Sequence, residues 1–405
     1  MKIVGLITEY NPFHAGHLYH MQQARELTGA DYCVVLMSGS FVQRGEPAIF
    51  DKYRRTKAAL LAGADLVLEM PVAFSTASAH EFAAYGVALL SAIGVDAVVF
   101  GSECGQIEFL KQAASALNHE SAEFQERLRK GLKAGLTYPQ ARAKALEMED
   151  TWASVLSSPN NILGIEYLRA AEDLHSLMEF YTISRKGSGY HEDTLADANF
   201  PSASAIRGII RNSLSKDKDL LDILASHLPA VTHPAYTGAV PVFVDDFSEL
   251  LNAAILQMQA TFSIADLSPE LAARLAKPPY FPLSFEKRIQ ALKTRQLTYT
   301  RVSRALLHLA LGMREEDISR WKDEGYALYA RILGFRRQSS PLLSCLHKKS
   351  SIPLITKMAD ASQSLAPSAL ALLEQEVYAS HLYQTVRMKR SGVFQNEYTE
   401  GLVFV

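Results

Sequence analysis

Over its first hundred residues the chain alternates short apolar runs with amphipathic stretches at a steady beat, a pattern of βαβ units rather than of a sandwich or a bundle. IVGLI (3–7), YCVVLM (32–37), DLVLEM (65–70) and DAVVFG (96–101) hold apolar residues at consecutive positions. Strands covered on both faces need such runs, so a doubly wound parallel sheet is expected. Between them, residues 15–29, 51–64 and 78–94 show helical periodicity and end at or beside glycine, where a left-handed C-cap is cheapest.

Further along, 107–173 reads as helical, EFYTIS (179–184) as another strand, and 203–214 as a helix after the Gly/Ser/Asp-rich loop 185–202. A Pro-rich passage at 228–243 is the best boundary, giving an expected α/β unit over 1–230 and a mostly α-helical unit over 231–405. With 405 residues, 41 Lys+Arg against 43 Asp+Glu and 48% hydrophobic residues, both units have the means to bury a core. Three scattered cysteines without a CxxC pair suggest neither a disulfide framework nor a zinc site, and a reducing cytoplasm is the natural compartment. No stretch approaches the roughly 18 apolar residues of a membrane span. The second unit has a modest basic surplus. Its clusters at 287–288, 301–304, 336–337, 348–349 and 387–390, interleaved with Tyr299, Tyr326, Tyr329, Phe335 and Tyr383, read either as solvated faces and core aromatics or as a track for a phosphate backbone.

The segment TEYNPFHAGH (8–17) lies where the first strand turns into the first helix. In an open α/β sheet that turn is at the mouth of the ligand crevice. Pro12 interrupts regular structure, Gly16 admits a ligand close to the backbone, and the free N–H groups of a helix start favour phosphate. His14 and His17, three apart, address the same phosphate region. Such a site suits attack on a nucleotide α-phosphate with departure of pyrophosphate, chemistry that rests on donors meeting charge as it develops on oxygen. Two satisfied structural histidines are the plain alternative. A zinc reading of His14, His17 and His20 lacks a Cys or acidic ligand at metal spacing, so no metal ligand is assigned. His20 itself reads as a helix-surface residue.

HAGH after a first strand is similar to the HxGH signature of the nucleotidyltransferase superfamily, a Rossmann-like (HUP-type) fold. PSASAIRG (201–208) resembles that superfamily's second motif, with Ser202 and Ser204 at a helix start and Arg207 one turn in, placed to neutralise pyrophosphate. Longer runs, including 7–20, 38–71, FGSE (100–103), SPNNILGIEYLRA (158–170), RKGSGYH (185–191), RVSRALLHLALG (301–312) and YARILGF (329–335), resemble the bacterial tRNA(Met) cytidine acetate ligases over essentially the whole chain. The resemblance implies that ATP, with Mg²⁺, adenylates acetate and that the acetyl group passes to N4 of the wobble cytidine of elongator tRNA(Met). It implies catalytic roles for His14, His17 and Arg207. It implies ATP contacts from Ile7, Thr8, Glu9, Tyr10, Asn11, Pro12, Phe13, Gly16, His20, Gly101, Asn160, Asn161, Arg185, Lys186, Ser202 and Ser204, one of the two asparagines serving instead as a helix N-cap.

Ser40, Gln43 and Arg44, on the loop after the second strand, are the candidates for handling the acyl group or the cytidine, unless that loop only caps the next helix. Arg336 and Arg337 are the candidates for tRNA contact. Glu103 is a further candidate for Mg²⁺ or for the amine proton. Neither a membrane nor DNA is expected as a partner, and no protein partner is indicated. An adenylyltransferase or acetate ligase with a different acceptor, such as a protein thiol or a small molecule, would keep the same nucleotide site. A scaffold that binds RNA and has lost catalysis would keep only the fold.

Overall fold

A computed structural model describes the chain except residues 121, 137, 146–157, 186–200, 215–219, 259–262 and 278–279. The four apolar runs form β1 (Ile3–Thr8), β2 (Tyr32–Ser38), β5 (Leu66–Met70) and β6 (Ala97–Ser102), with a small hairpin of β3 (Phe41–Val42) and β4 (Glu46–Pro47) after β2. The next strands are β7 (Glu179–Ser184), β8 (Ala330–Phe335), β9 (Leu354–Ile355) and β10 (Val403–Phe404). In the main sheet the order is β10-β8-β5-β2-β1-β6-β7, with β9 on β8. β5, β2, β1, β6 and β7 run parallel, in a register from Ile3 opposite Tyr32 to Thr8 opposite Met37.

Alternate residues of these strands enter two cores. Val34 and Leu36 face one side of the sheet while Cys33, Val35 and Met37 face the other, all completely buried. This two-sided burial is why the runs are continuous rather than alternating. The chain leaves β1 towards β2 and β5 and later returns to β1's other side with β6 and β7. The order therefore reverses between β1 and β6, and the crevice of such a sheet opens at the carboxyl ends of those two strands.

Helix α1 (Ala15–Thr28) follows β1 and ends on Gly29 at φ 62°; α2 (Lys52–Leu61) begins on the Asp51 cap; α3 (Ala79–Ala92) begins on Ser78. The helices that reach the crevice from elsewhere are α4 (Pro159–Asp173), α5 (Ala203–Leu214) and α6 (Tyr299–Leu311).

Residues beyond the Pro-rich passage are mostly helical, yet they also enter the first unit's sheet. YARILGF, expected within a helical half, supplies β8, which pairs antiparallel with β5 and sets Arg331 opposite Glu69. Arg331 donates to Glu69 at 2.8 Å and to Glu397 at 2.6 Å, and the buried Lys52 ammonium lies 2.6 Å from Glu69 and 3.0 Å from Glu397. Glu376, on α7 (Pro367–Ser391), accepts the Val72 N–H. Burial beside Glu69 holds its carboxyl well above the usual range. Two cations thus meet three carboxylates, and the ionic cluster joins β5, α2, β8 and the C-terminal segment. Of the aromatics that interleave with the basic clusters, Tyr329 and Tyr383 are core residues, 2% and 0% exposed, and Tyr299, Tyr326 and Phe335 are half-buried.

Candidate active site

At the carboxyl ends of β1, β6 and β7 lies a cavity of about 450 Å³, within the range of small-ligand sites. α1, α4, α5 and α6 also line it, as does the hairpin.

Its floor is the start of α1. His14 is the N-cap: its Nδ1 accepts the Gly16 N–H at 3.0 Å, and its own N–H donates to His17 Nδ1 at 3.2 Å, a capping box made of two imidazoles. The rings stack with centroids 3.8 Å apart. Gly16 permits the stack, since a Cβ there would lie 2.9 Å from His14 Cε1. Because both Nδ1 atoms accept backbone protons, each neutral ring carries its hydrogen on Nε2. Burial, and then the guanidiniums of Arg185 and Arg207, push His14 down to about 3. Burial and the neighbouring His14 hold His17 well below its ordinary value. At neutral pH the pair therefore presents neutral N–H donors.

His20 is not a helix-surface residue. Its Nε2 donates to the Val99 carbonyl at 3.0 Å, burial lowers it to about 4, and it lines the cavity.

The second motif arrives on α5. The Ser202 hydroxyl accepts the Ala205 N–H at 3.1 Å, and Arg207 donates to the Asn11 carbonyl at 2.8 Å and to Ser204 Oγ at 3.2 Å. One guanidinium thus ties the two sequence motifs together across 196 residues. From β7, Arg185 lies over Gly101, where a Cβ would sit 3.3 Å from its Cγ, and donates to Asn160 Oδ1 at 2.8 Å. Arg44 and Arg304 complete four guanidiniums around the cavity, against one lining carboxylate among the described residues, Glu9. A polyanion suits this balance. The apolar part of the lining comes from Ile7, Phe82, Phe100, Leu163, Tyr167 and Ile183.

Ile7, Thr8, Glu9, His14, Gly16, His17, His20, Gly101, Asn160, Arg185, Ser202, Ser204, Arg207, Gln43 and Arg44 all line the cavity. Others expected in direct contact stand behind it. Tyr10 and Phe13 are fully buried, packed on each other with ring centroids 4.7 Å apart, and Tyr10 packs on His17 at 4.8 Å. Asn11 accepts the Ile49 N–H at 2.7 Å, and the Asn11–Pro12 peptide is cis. These residues shape the loop rather than line the cavity.

Neither asparagine at the start of α4 is its N-cap, which is Ser158. Asn161 instead accepts the N–H groups of Glu103 and Cys104 at 2.9 and 3.2 Å. Glu103 accepts the Asn161 N–H at 2.8 Å and the Asn160 side chain, so its carboxylate caps α4. Ser40 is 1% exposed and bonded to Ser380 at 3.3 Å, away from the cavity. Arg336 and Arg337 follow Phe335, which pairs with the first residue of β5, so they lie at the amino end of the sheet; Arg337 covers the Phe404 ring at 4.9 Å. Lys186 lies outside the described residues.

Two groups stand out only in three dimensions. Arg55 on α2 is completely buried and donates to the carbonyls of Phe50 at 2.9 Å, Glu9 at 2.8 Å, Ser38 at 3.0 Å and Gly39, clamping the ends of β1 and β2. Arg304 and Thr300 enter from α6 because Gly45, at φ 76°, lets the hairpin meet that helix; a Cβ there would lie 2.5 Å from Arg304 N. The 301–304 basic cluster was visible in sequence, but not its place at this cavity. Among the described residues no group of three His, Cys, Asp or Glu is placed to hold a metal ion, and no helix is long and apolar enough to cross a membrane.

A family model described as HIGH Nucleotidyl Transferase matches residues 1–397. The tRNA(Met) cytidine acetate ligase of Acetivibrio thermocellus is 38% identical over the full length of both chains, and that of Clostridium novyi is 39% identical over 88% of this chain and 90% of its own. The crystal structure of Thermotoga maritima TmcAL bound with alpha-thio ATP superposes with a TM-score of 0.88 at 31% identity, covering both chains completely, and the apo form gives 0.91.

Proposed function

The chain belongs to the tRNA(Met) cytidine acetate ligases within the HIGH nucleotidyl transferase family, and from that premise we propose that it adenylates acetate with ATP and passes the acetyl group to N4 of the wobble cytidine of elongator tRNA(Met), giving N4-acetylcytidine. The observation that carries this reading is the convergence of two neutral imidazole N–H donors, the Arg185 and Arg207 guanidiniums and the starts of α1 and α5 on one cavity.

In the first step an acetate oxygen attacks the α-phosphorus and the bond to pyrophosphate breaks. His14 and His17 donate to phosphate oxygens as charge builds there, and Arg207, with the hydroxyls of Ser202 and Ser204, holds the departing pyrophosphate. Donors that stay neutral suit this task, because their Nε2 hydrogens are fixed in place before the reaction. Mg²⁺ would accompany the triphosphate, held chiefly by its phosphates as such ions usually are. The base of ATP has the apolar wall and Gly101 to lie against. In the second step the weakly nucleophilic cytosine amine must be brought to the acyl carbon, which requires taking the base out of the anticodon stack. Gln43 and Arg44 on the hairpin and Arg304 on α6, which line the cavity, are the groups assigned to meet it on entry. Any contact of Arg336 and Arg337 with tRNA is made outside the cavity, with the body of the RNA.

The test is incubation with ATP, Mg²⁺, labelled acetate and unmodified elongator tRNA(Met), beside a transcript with uridine at the wobble position. Label in RNA that needs both ATP and that cytidine supports the reading. Acetate-dependent pyrophosphate release with no label in RNA would move the acceptor to a protein thiol or a small molecule.

A further inference from the structure

We propose that Glu9 and Gln43 together read the amine edge of the acceptor cytosine, and that Glu9 takes the proton that N4 loses. The inference rests on the acceptor proposed above.

Acylation of an exocyclic amine leaves a proton to be removed. Among the described residues lining the cavity Glu9 is the one carboxylate. The stacked histidines cannot serve: His14 and His17 use Nδ1 to accept backbone N–H groups and carry hydrogen on Nε2, and His20 commits its Nε2 hydrogen to the Val99 carbonyl. Glu9 is also a fixed group. Its carbonyl is held by Arg55 at 2.8 Å, and its Oε1 accepts the Gln43 N–H at 2.9 Å, which leaves its second oxygen uncommitted by that bond.

Beside it, the side-chain amide nitrogen of Gln43 is buried in the cavity wall with no hydrogen-bond partner among the described residues. A buried donor left unpaired is costly until a ligand supplies an acceptor. An acceptor next to a donor matches the cytosine edge, whose N4 donates and whose N3 accepts, and carboxylates are the usual partners of cytosine N4. Uracil presents the reverse order, an acceptor at O4 and a donor at N3. It would set O4 against the carboxylate and N3–H against the amide hydrogens, a mismatch of the kind that polar sites reject strongly. In the reaction the N4 lone pair attacks the acyl carbon, the bond from that carbon to the adenylate oxygen breaks, AMP leaves with the electron pair, and the N4 proton passes to the Glu9 carboxylate.

The experiment compares wild type, Glu9→Gln and Gln43→Ala in two assays: acetate-dependent ATP–pyrophosphate exchange, and single-turnover acetyl transfer to tRNA carrying cytidine or 3-deazacytidine at the wobble position. Glu9→Gln keeps an oxygen for the Gln43 N–H and preserves volume, but removes the charge and turns the oxygen facing N4 into an NH2 that can neither accept from N4 nor take its proton. Transfer is expected to fall about 100-fold or more, the scale of a lost general base, while exchange falls much less. Gln43→Ala is expected to slow transfer to cytidine and to erase the wild-type preference for cytidine over 3-deazacytidine, which lacks the N3 acceptor. Equal losses of exchange and transfer in Glu9→Gln would reassign Glu9 to the nucleotide and overturn the proposal. An unchanged preference in Gln43→Ala would remove Gln43 from the reading of the base. Absence of RNA acetylation by wild type would overturn the acceptor assignment, and this pair with it.

Discussion

Gly16→Ala separates stability from catalysis, because one added methyl group acts on the two in opposite directions. Gly16 lies in the first turn of α1, with ordinary helical backbone, and alanine is favoured over glycine within a helix by up to about 1 kcal/mol. The new Cβ, however, would stand 2.9 Å from His14 Cε1 and 3.1 Å from His14 Nδ1. Ordinary carbon–carbon contact is about 3.5–4.0 Å, so the imidazole must retreat by roughly 0.5–1 Å or rotate. Either movement lengthens the 3.0 Å bond from the Gly16 N–H and breaks the 3.8 Å stack on His17, the two features that aim both Nε2–H groups at the cavity. A displacement of about 1 Å in a positioned group costs on the order of 100-fold in rate. The expected result is acetate-dependent ATP–pyrophosphate exchange reduced about 10- to 100-fold, in a protein whose thermal midpoint is unchanged or raised by a few degrees. The assays are initial-rate exchange at saturating ATP and a thermal melt on the same preparation. Exchange within twofold of wild type would refute the argument that the imidazole stack sets the geometry for adenylation. A large fall in thermal midpoint would refute the assignment of Gly16 as a residue required for the site rather than for the fold.

Other perturbations reach different parts of the site. Arg207→Lys keeps the charge but cannot span both the Asn11 carbonyl and Ser204 Oγ, and is expected to lower exchange about 10-fold or more while leaving tRNA affinity in a filter-binding assay within about twofold. Arg55→Met leaves the carbonyls of Glu9, Ser38, Gly39 and Phe50 without their donor, and urea unfolding should show a loss of about 3–5 kcal/mol, the usual scale for stripping a buried charged partner. Lys52→Met exposes the buried carboxylates of Glu69 and Glu397 to each other and should cost a similar amount by the same measurement. The folded-state values of His14 and His20 lie below those of the unfolded chain. Their neutral forms are kept above pH 6.5, and as pH falls from there towards about 4 the unfolded chain takes up protons first and stability drops; ¹⁵N spectra should show both rings Nε2-protonated and untitrated between pH 5.5 and 8.

Much of this was legible in the chain itself. Short continuous apolar runs alternating with amphipathic segments fit strands buried on both faces, so β1, β2, β5 and β6 follow from the pattern within a residue or two, and the helices between them within about three. HAGH at the first turn and PSASAIRG at a later helix start locate phosphate donors, because a helix N-terminus is defined by residues close in sequence. Side chains whose role depends on distant partners were misplaced. Tyr10, Asn11 and Phe13 belong to the signature but buttress the loop, Ser40 faces Ser380, and Glu103 caps α4.

By itself the sequence determined the parallel sheet, the crevice mouth at the turn after β1, and the two phosphate-binding motifs, since each depends on residues within a turn or a strand of one another. Only the tertiary structure decided that β8 returns from residue 330 to pair with β5, that Arg304 reaches the same cavity as His14, and that Arg55 clamps the strand ends beneath it. It also decided which nitrogen of each imidazole carries the hydrogen. These properties come from burial and from hydrogen-bond partners that folding brings together across tens to hundreds of residues, and a buried charge or a neutral imidazole has no local pattern to announce it.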